Sequence, residues 1–199
     1  MPNICIHEIV GYKLSEKYKM LDNLDFYLGV LSPDAVNYRK FESKEIRWAS
    51  HIRSKNLDKW QDDVIRFYYD NIEFYNKYFL LGYIIHIITD IIFDRDFYDK
   101  VKNNILSSGF SDDDAHQVMR DDMDKYSNNN DIWNKMKEKI YKIDRYYDIL
   151  NVSKNMESRM IDVTLKKTFV GDSVYINDDI IKQLTFKVEK VLEELIERI

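Results

Sequence analysis

From Tyr78 to Phe93 the chain reads Y-F-L-L-G-Y-I-I-H-I-I-T-D-I-I-F, apolar at almost every position. Saturation of that kind suits a helix buried on all sides, so the stretch predicts the central helix of an all-α fold. Two polar residues interrupt it, His86 and Asp90, four positions apart. On a helix that spacing puts both side chains on one face, one turn apart. Ahead of it, Leu57, Trp60, Val64, Phe67, Tyr68, Asn71 as a polar exception, Phe74, Tyr75 and Tyr78 step by three and four. They predict an amphipathic helix that breaks near Asn76.

The first fifty residues are less regular. Residues 3–20 alternate loosely and predict a helix starting near His7, with Ile4, Ile6, Ile9 and Val10 as packing residues. The run D-F-Y-L-G-V-L-S-P-D-A-V-N at 25–37 ends in a turn fixed by Pro33. Gly29 allows the backbone a close approach, and Asp34 reads as the cap of a helix beginning at Ala35. Arg39 to Ser50 reads as polar and exposed, and a lone histidine after it, His51, is ordinarily a surface residue.

Beyond the central stretch, Ser-Ser-Gly at 107–109 predicts a loop, and Ser111 with three aspartates starts a helix over 112–126 that carries His116. Asn-Asn-Asn-Asp at 128–131 is a turn and cap. Ile132, Met136, Ile140, Ile143 and Tyr147 predict another amphipathic helix. V-T-L-K-K-T-F-V at 163–170 fits either a helix end or a short strand, and V-G-D-S at 170–173 a loop. Ile180, Leu184, Val188, Val191, Leu192 and Leu195 mark the core face of a last helix capped by Asn177. The sum is six to eight helices in one bundle-like domain.

Composition agrees with that picture. A chain of 199 residues fits one domain, and 45% apolar residues can build its core. Five glycines and two prolines are too few for the turns of a sandwich or barrel. The net charge of −5 gives no strong nucleic-acid signal, because phosphate contacts need clustered Lys and Arg. A single cysteine, Cys5, excludes an internal disulfide and a cysteine-based zinc cluster. The first residues carry no basic segment of an export signal, and the central stretch is shorter than the roughly 20 residues of a membrane span. Both point to a cytoplasmic protein with no transmembrane segment.

His86 and Asp90 have two readings: a His–Asp hydrogen bond that tightens a buried helix, or ligands aimed at a divalent cation. His7, His51 and Asp34 add to the same donor set. The order of these residues, with the specific pieces P-D at 33–34 and L-G-Y-I-I-H-I-I-T-D at 81–90, resembles the bacterial zinc-dependent phospholipase C family. The fungal single-strand nucleases share that family's all-helical fold. The resemblance covers residues 1–125, a metal-site region, while 126–199 is matched only by being helical.

The resemblance implies one to three zinc ions, two fitting this chain best. Asp34, His51, His86 and Asp90 match the ligands of one site, Asp90 also bridging to a second that includes His7. A third site is remodelled or absent. Asp96 stands where the family has a histidine, His116 matches the next histidine, and Arg120 replaces the acidic residue four positions later. Arg120 is then a candidate contact for substrate phosphate through its planar fork.

The implied activity is zinc-dependent hydrolysis of a phosphate ester, water activated by the metal attacking phosphorus in line while Asp34 orients it or acts as general base. Lipid, nucleotide and small-molecule esters all fit, and partner proteins are not indicated. The alternative is a non-catalytic helical protein with one structural metal, acting through a partner surface. A nucleotide phosphohydrolase of the histidine-aspartate doublet type is a weaker third option, since that type needs a His-Asp dipeptide and none occurs.

Overall fold

Asparagine and serine side chains decide where most helices begin. A computed structural model describes residues 1–37, 42–166 and 170–196. Asn3 accepts the Ile6 amide at 3.0 Å and opens α1 (Ile4–Lys17). Asn23 does the same for α2 (Leu24–Leu31), and Ser43 for α3 (Lys44–Ser50). Asn56 opens α4 (Leu57–Asn71), and Asn76 opens α5 (Lys77–Asp96). These caps satisfy amides that the first turn cannot pair internally. They give sharp helix starts to a chain with little Gly or Pro.

The remaining helices are α6 (Tyr98–Ser107), α7 (Asp112–Asn128), α8 (Asp131–Ile140), α9 (Lys154–Leu165) and α10 (Asp178–Ile196). The fold is all-α, with ten α-helices and no strand among the described residues. That exceeds the six to eight helices expected, mainly because short segments such as α3 and α6 carry too few turns to show a period.

The central helix is α5, and every residue from Gly82 to Phe93 is buried. It runs longer than 78–93, to Asp96, yet no helix among the described residues is long and apolar enough to cross a membrane. Its closest neighbour is α2. A Cβ on Gly29 would lie 2.0 Å from the Phe79 carbonyl oxygen, and one on Gly82 would lie 2.1 Å from that of Phe26. Backbone therefore touches backbone at this crossing, which only glycine permits. Asn76 donates to Asp25 at 3.0 Å near the start of both helices, and His86 reaches the Val30 carbonyl farther along. The two helices thus run the same way in a fixed register.

Two expectations change, and one open alternative closes. Asp34 caps no α-helix: it lies within a 3₁₀ helix, Ser32–Asn37, that continues α2, and it accepts from Asn37 Nδ2 at 3.1 Å. Pro33 is tolerated there because its missing amide falls in a first turn. The helix predicted through Tyr147 stops at Ile140. Ile143 stays buried, and Tyr147 instead donates its amide to Glu157 at 2.8 Å. At 163–170 the chain ends α9, with residues 167–169 outside the described set, as are 39–41 of the segment read as exposed.

The carboxyl half closes the fold through buried acids. Asp122 on α7 accepts the amides of Val174, Tyr175 and Ile176 at 2.7, 2.8 and 2.7 Å. Those bonds hold the strand of loop that leads into α10. Glu157 on α9 reaches Ser32 at 2.5 Å, tying the tail to the 3₁₀ helix that carries Asp34.

Candidate metal centre

Four elements bring five ligand-type side chains to one point. α1 supplies His7, the 3₁₀ helix Asp34, the end of α3 His51, and α5 both His86 and Asp90. All are buried except Asp34, whose side chain is 16% exposed. His51 is not the surface residue its flanking sequence suggests. It ends α3, where Trp60 Nε1 donates to its carbonyl at 2.8 Å and Tyr83 Oη donates to the preceding Ser50 carbonyl at 2.5 Å.

Asp90 is the hub. His7 Nε2 lies 3.3 Å from Asp90 Oδ1, while His51 Nε2 and His86 Nε2 lie 3.7 and 3.9 Å from Oδ2. His51 Nε2 is also 3.6 Å from Asp34 Oδ1. A good hydrogen bond between such atoms spans about 2.7–3.2 Å, and these are all longer. Both Asp90 oxygens and the Nε2 atoms of His7, His51 and His86 have no hydrogen-bond partner. Buried polar atoms without partners are costly, and five around one point call for a shared occupant.

The separations fit such an occupant. Zinc bonds of about 2.0–2.1 Å in a tetrahedron put neighbouring donors roughly 3.3–3.4 Å apart. The four contacts begin at 3.3 Å and run somewhat above it. Two overlapping triads, His7–Asp34–His86 and His51–His86–Asp90, each hold ligand atoms within 4.8 Å of one another. His86 belongs to both.

Surrounding groups fix which nitrogen faces the point. His86 Nδ1 is 2.7 Å from the Val30 carbonyl, and His51 Nδ1 is 2.9 Å from that of Arg47. A carbonyl only accepts, so each Nδ1 carries the proton and each Nε2 presents a lone pair. Charge follows the same design. Burial opposes ionisation of Asp34 and Asp90, yet the close approach of His51 to Asp34 and of His7 to Asp90, with the other histidines nearby, holds both carboxyls below their usual range. Burial, followed by the neighbouring His7, pushes His86 down to about 3. His51 moves up, because Asp34 and Asp90 outweigh its burial. Two ionised carboxylates with the imidazoles in their lone-pair form would make a donor set of charge −2, matched to a divalent cation.

The structure does not bring every predicted ligand here. Asp96, on the last turn of α5, pairs with Lys187 of α10 at 2.8 Å. His116 is exposed on α7 and lines a separate cleft with Met1, Arg53, Asp94 and Tyr98. Arg120 is also exposed on α7. Arg53 and Asp94 were missed as site neighbours. Their signal is positional: Arg53 follows His51 by two, and Asp94 follows Asp90 by one turn.

Comparison with protein-family models, curated proteins and solved structures finds no match to this chain. The functional reading therefore rests on the geometry of this cluster and on the residues that carry the resemblance.

Proposed function

We propose that the protein is a metal-dependent phosphoric ester hydrolase, related to the zinc-dependent phospholipase C family, with zinc held by His7, Asp34, His51, His86 and Asp90. One observation carries this reading: a buried carboxylate hub with three imidazole Nε2 atoms at 3.3–3.9 Å, all without hydrogen bonds. When bound, such a cation lowers the pKa of water and polarises a phosphoryl oxygen.

The chain's own groups divide the remaining work. Asp34 is the one cluster carboxylate that reaches solvent. Held ionised well below the usual range, it is a weak base and a good acceptor, so its role is to orient an attacking water rather than to take its proton. Asp90 balances cation charge from within, and the Val30 and Arg47 carbonyls lock the tautomers of His86 and His51. The substrate class is a phosphate ester.

The near-complete burial of the other four ligands favours a second reading, a closed structural metal site. The test is elemental analysis of protein purified without chelator, followed by assay of phosphodiester, phosphomonoester and phosphatidylcholine substrates with zinc. Zinc with turnover supports the hydrolase. A full metal complement with no turnover on any ester supports the structural site, and absence of metal sinks both.

A further inference from the structure

We propose that the cleft walled by Arg53, Tyr98 and His116 is an anion subsite that takes a second phosphate group of the ligand whose ester sits at the metal cluster. This deepens the hydrolase reading and rests on it only for what the cluster holds.

The cleft, of about 410 Å³, is lined by two residues that follow cluster ligands closely along the chain, Arg53 and Asp94. Asp94 lies four residues, about 6 Å, along α5 from Asp90. Arg53 lies two residues past His51, and the turn between them is tightly specified. Ile52 adopts a left-handed φ of 51°, its amide bonds Ala49 at 3.1 Å, and the Arg53 amide bonds Trp48 at 2.8 Å. This is the Schellman closure of a helix, with a β-branched residue where glycine is usual. It turns Arg53 back across α3 and α4.

The guanidinium is then held in place. Its carbon lies 4.8 Å from the Trp60 ring centroid and 5.9 Å from that of Trp48, and Nη2 donates to Asp94 at 3.0 Å. Stacked and half-paired, an arginine presents its remaining N–H groups in fixed directions, which suits phosphate oxygens. Nη1 donates to the Met1 sulfur. A thioether is a weak acceptor, so a phosphate oxygen competes well for that proton. Across the cleft, partial burial and then the positive charges of the Met1 amino group and Arg120 hold His116 below its ordinary range. The lining thus offers donors from three elements, with one acid, Asp94, shared between the Arg53 guanidinium and the Met1 amino group.

The test is calorimetric titration of inorganic phosphate into chelator-stripped and zinc-loaded protein at low ionic strength. Stripped wild-type protein is expected to bind phosphate, Arg53→Met to bind it at least about tenfold more weakly, and Asp94→Asn several-fold more tightly. The gain in Asp94→Asn keeps the idea testable if Arg53→Met folds poorly. In zinc-loaded protein, propanediol bisphosphate should bind about tenfold tighter than propyl phosphate, an advantage absent in Arg53→Met. Retention on phosphatidylcholine vesicles containing phosphatidic acid, again dependent on Arg53, would assign the second phosphate to a lipid headgroup, and no retention to a soluble ester. Phosphate binding that appears only with zinc, or that ignores both substitutions, overturns the subsite while leaving the metal centre standing. Arg53-dependent binding by protein that takes up no zinc supports the subsite and removes the metal reading instead.

Discussion

The rings of His7 and His86 stack face to face, with centroids 3.6 Å apart and planes inclined by 10°. Burial and the neighbouring His7 ring keep His86 uncharged, so it cannot offset the negative charge that Asp90 concentrates there. A metal ion resolves that conflict, because it binds the neutral rings and the ionised carboxylate together. His86→Ala removes the ring shared by both triads and leaves Asp90 buried beside fewer partners. The expected result is loss of bound metal and about 3–5 kcal/mol of stability, read by elemental analysis and thermal melting. Full metal content with an unchanged melting temperature would show that the cluster is not a metal centre.

Asp90→Asn separates the metal from the fold. In stripped protein the substitution removes a carboxylate that the neighbouring histidines hold below its usual range, so stability should fall. In wild-type protein, zinc at about 100 times its dissociation constant should add roughly 2.7 kcal/mol, and Asp90→Asn should forfeit most of it. Melting curves of both proteins, with chelator and with zinc, give all four values. A variant that gains as much from zinc as the wild type would exclude Asp90 as a ligand.

The α2–α5 crossing should tolerate no side chain. Gly82→Ala sets a methyl group against the Phe26 carbonyl, a backbone atom that cannot turn aside. The expected cost is about 3 kcal/mol or more, and His86 would lose its register with the Val30 carbonyl, weakening metal binding as well. Gly109→Ala is the contrast: its φ is 95° but its surroundings are open, so only the backbone preference of about 1–2 kcal/mol is lost. Equal denaturation midpoints for the two variants would contradict the packing argument.

Asp122→Ala leaves the amides of Val174, Tyr175 and Ile176 without their acceptor. The loop can rehydrate only in part, because Ile176 is buried. A loss of about 2–4 kcal/mol in urea unfolding is expected, with faster amide exchange over 174–176. Unchanged exchange there would mean the loop is held by something else.

Which of these features the sequence discloses depends on how local their cause is. The burial of α5 is local, written in its apolar saturation, and so is the shared face of His86 and Asp90. Gly29 announces a close approach but does not name its partner, since Gly82 lies on another helix. The place of His51 is invisible locally: its neighbours are polar, and its burial comes from Trp60, Tyr83 and the hub at Asp90. Asp122 and Glu157 did leave a trace. Each is an acid on an apolar face, Asp122 between Met119 and Met123, and Glu157 in line with Met160 and Ile161. An acid in that position asks for a distant partner, and only the folded chain says which.

Glu157 supplies a pH dependence of opposite sense to ordinary acid unfolding. Ser32 Oγ lies 2.7 Å from the Leu28 carbonyl and 2.5 Å from Glu157 Oε1. A hydroxyl has one proton, so serving both oxygens requires the carboxyl to bring the second. Burial agrees, pushing Glu157 up to about 7 despite the Ser32 and Tyr147 hydrogen bonds that favour the anion. In the unfolded chain the same group titrates near 4.5. Between those values the folded state holds a proton that the unfolded state has released, so stability falls as pH rises. Its contribution is complete below the lower value, declines across the window and is gone above the upper one, about 3 kcal/mol in all. Glu157→Gln keeps a neutral side chain at every pH. The difference between wild type and variant, in which the cluster titrations cancel, should therefore change by that amount between pH 4.5 and 7 and be flat on either side. Glu8, also raised by burial, has the same sign and remains in both proteins, so it drops out of the difference. Urea midpoints measured across that range decide the matter: a difference independent of pH would mean that Glu157 is ionised in the folded protein and that Ser32 donates to it instead of to Leu28.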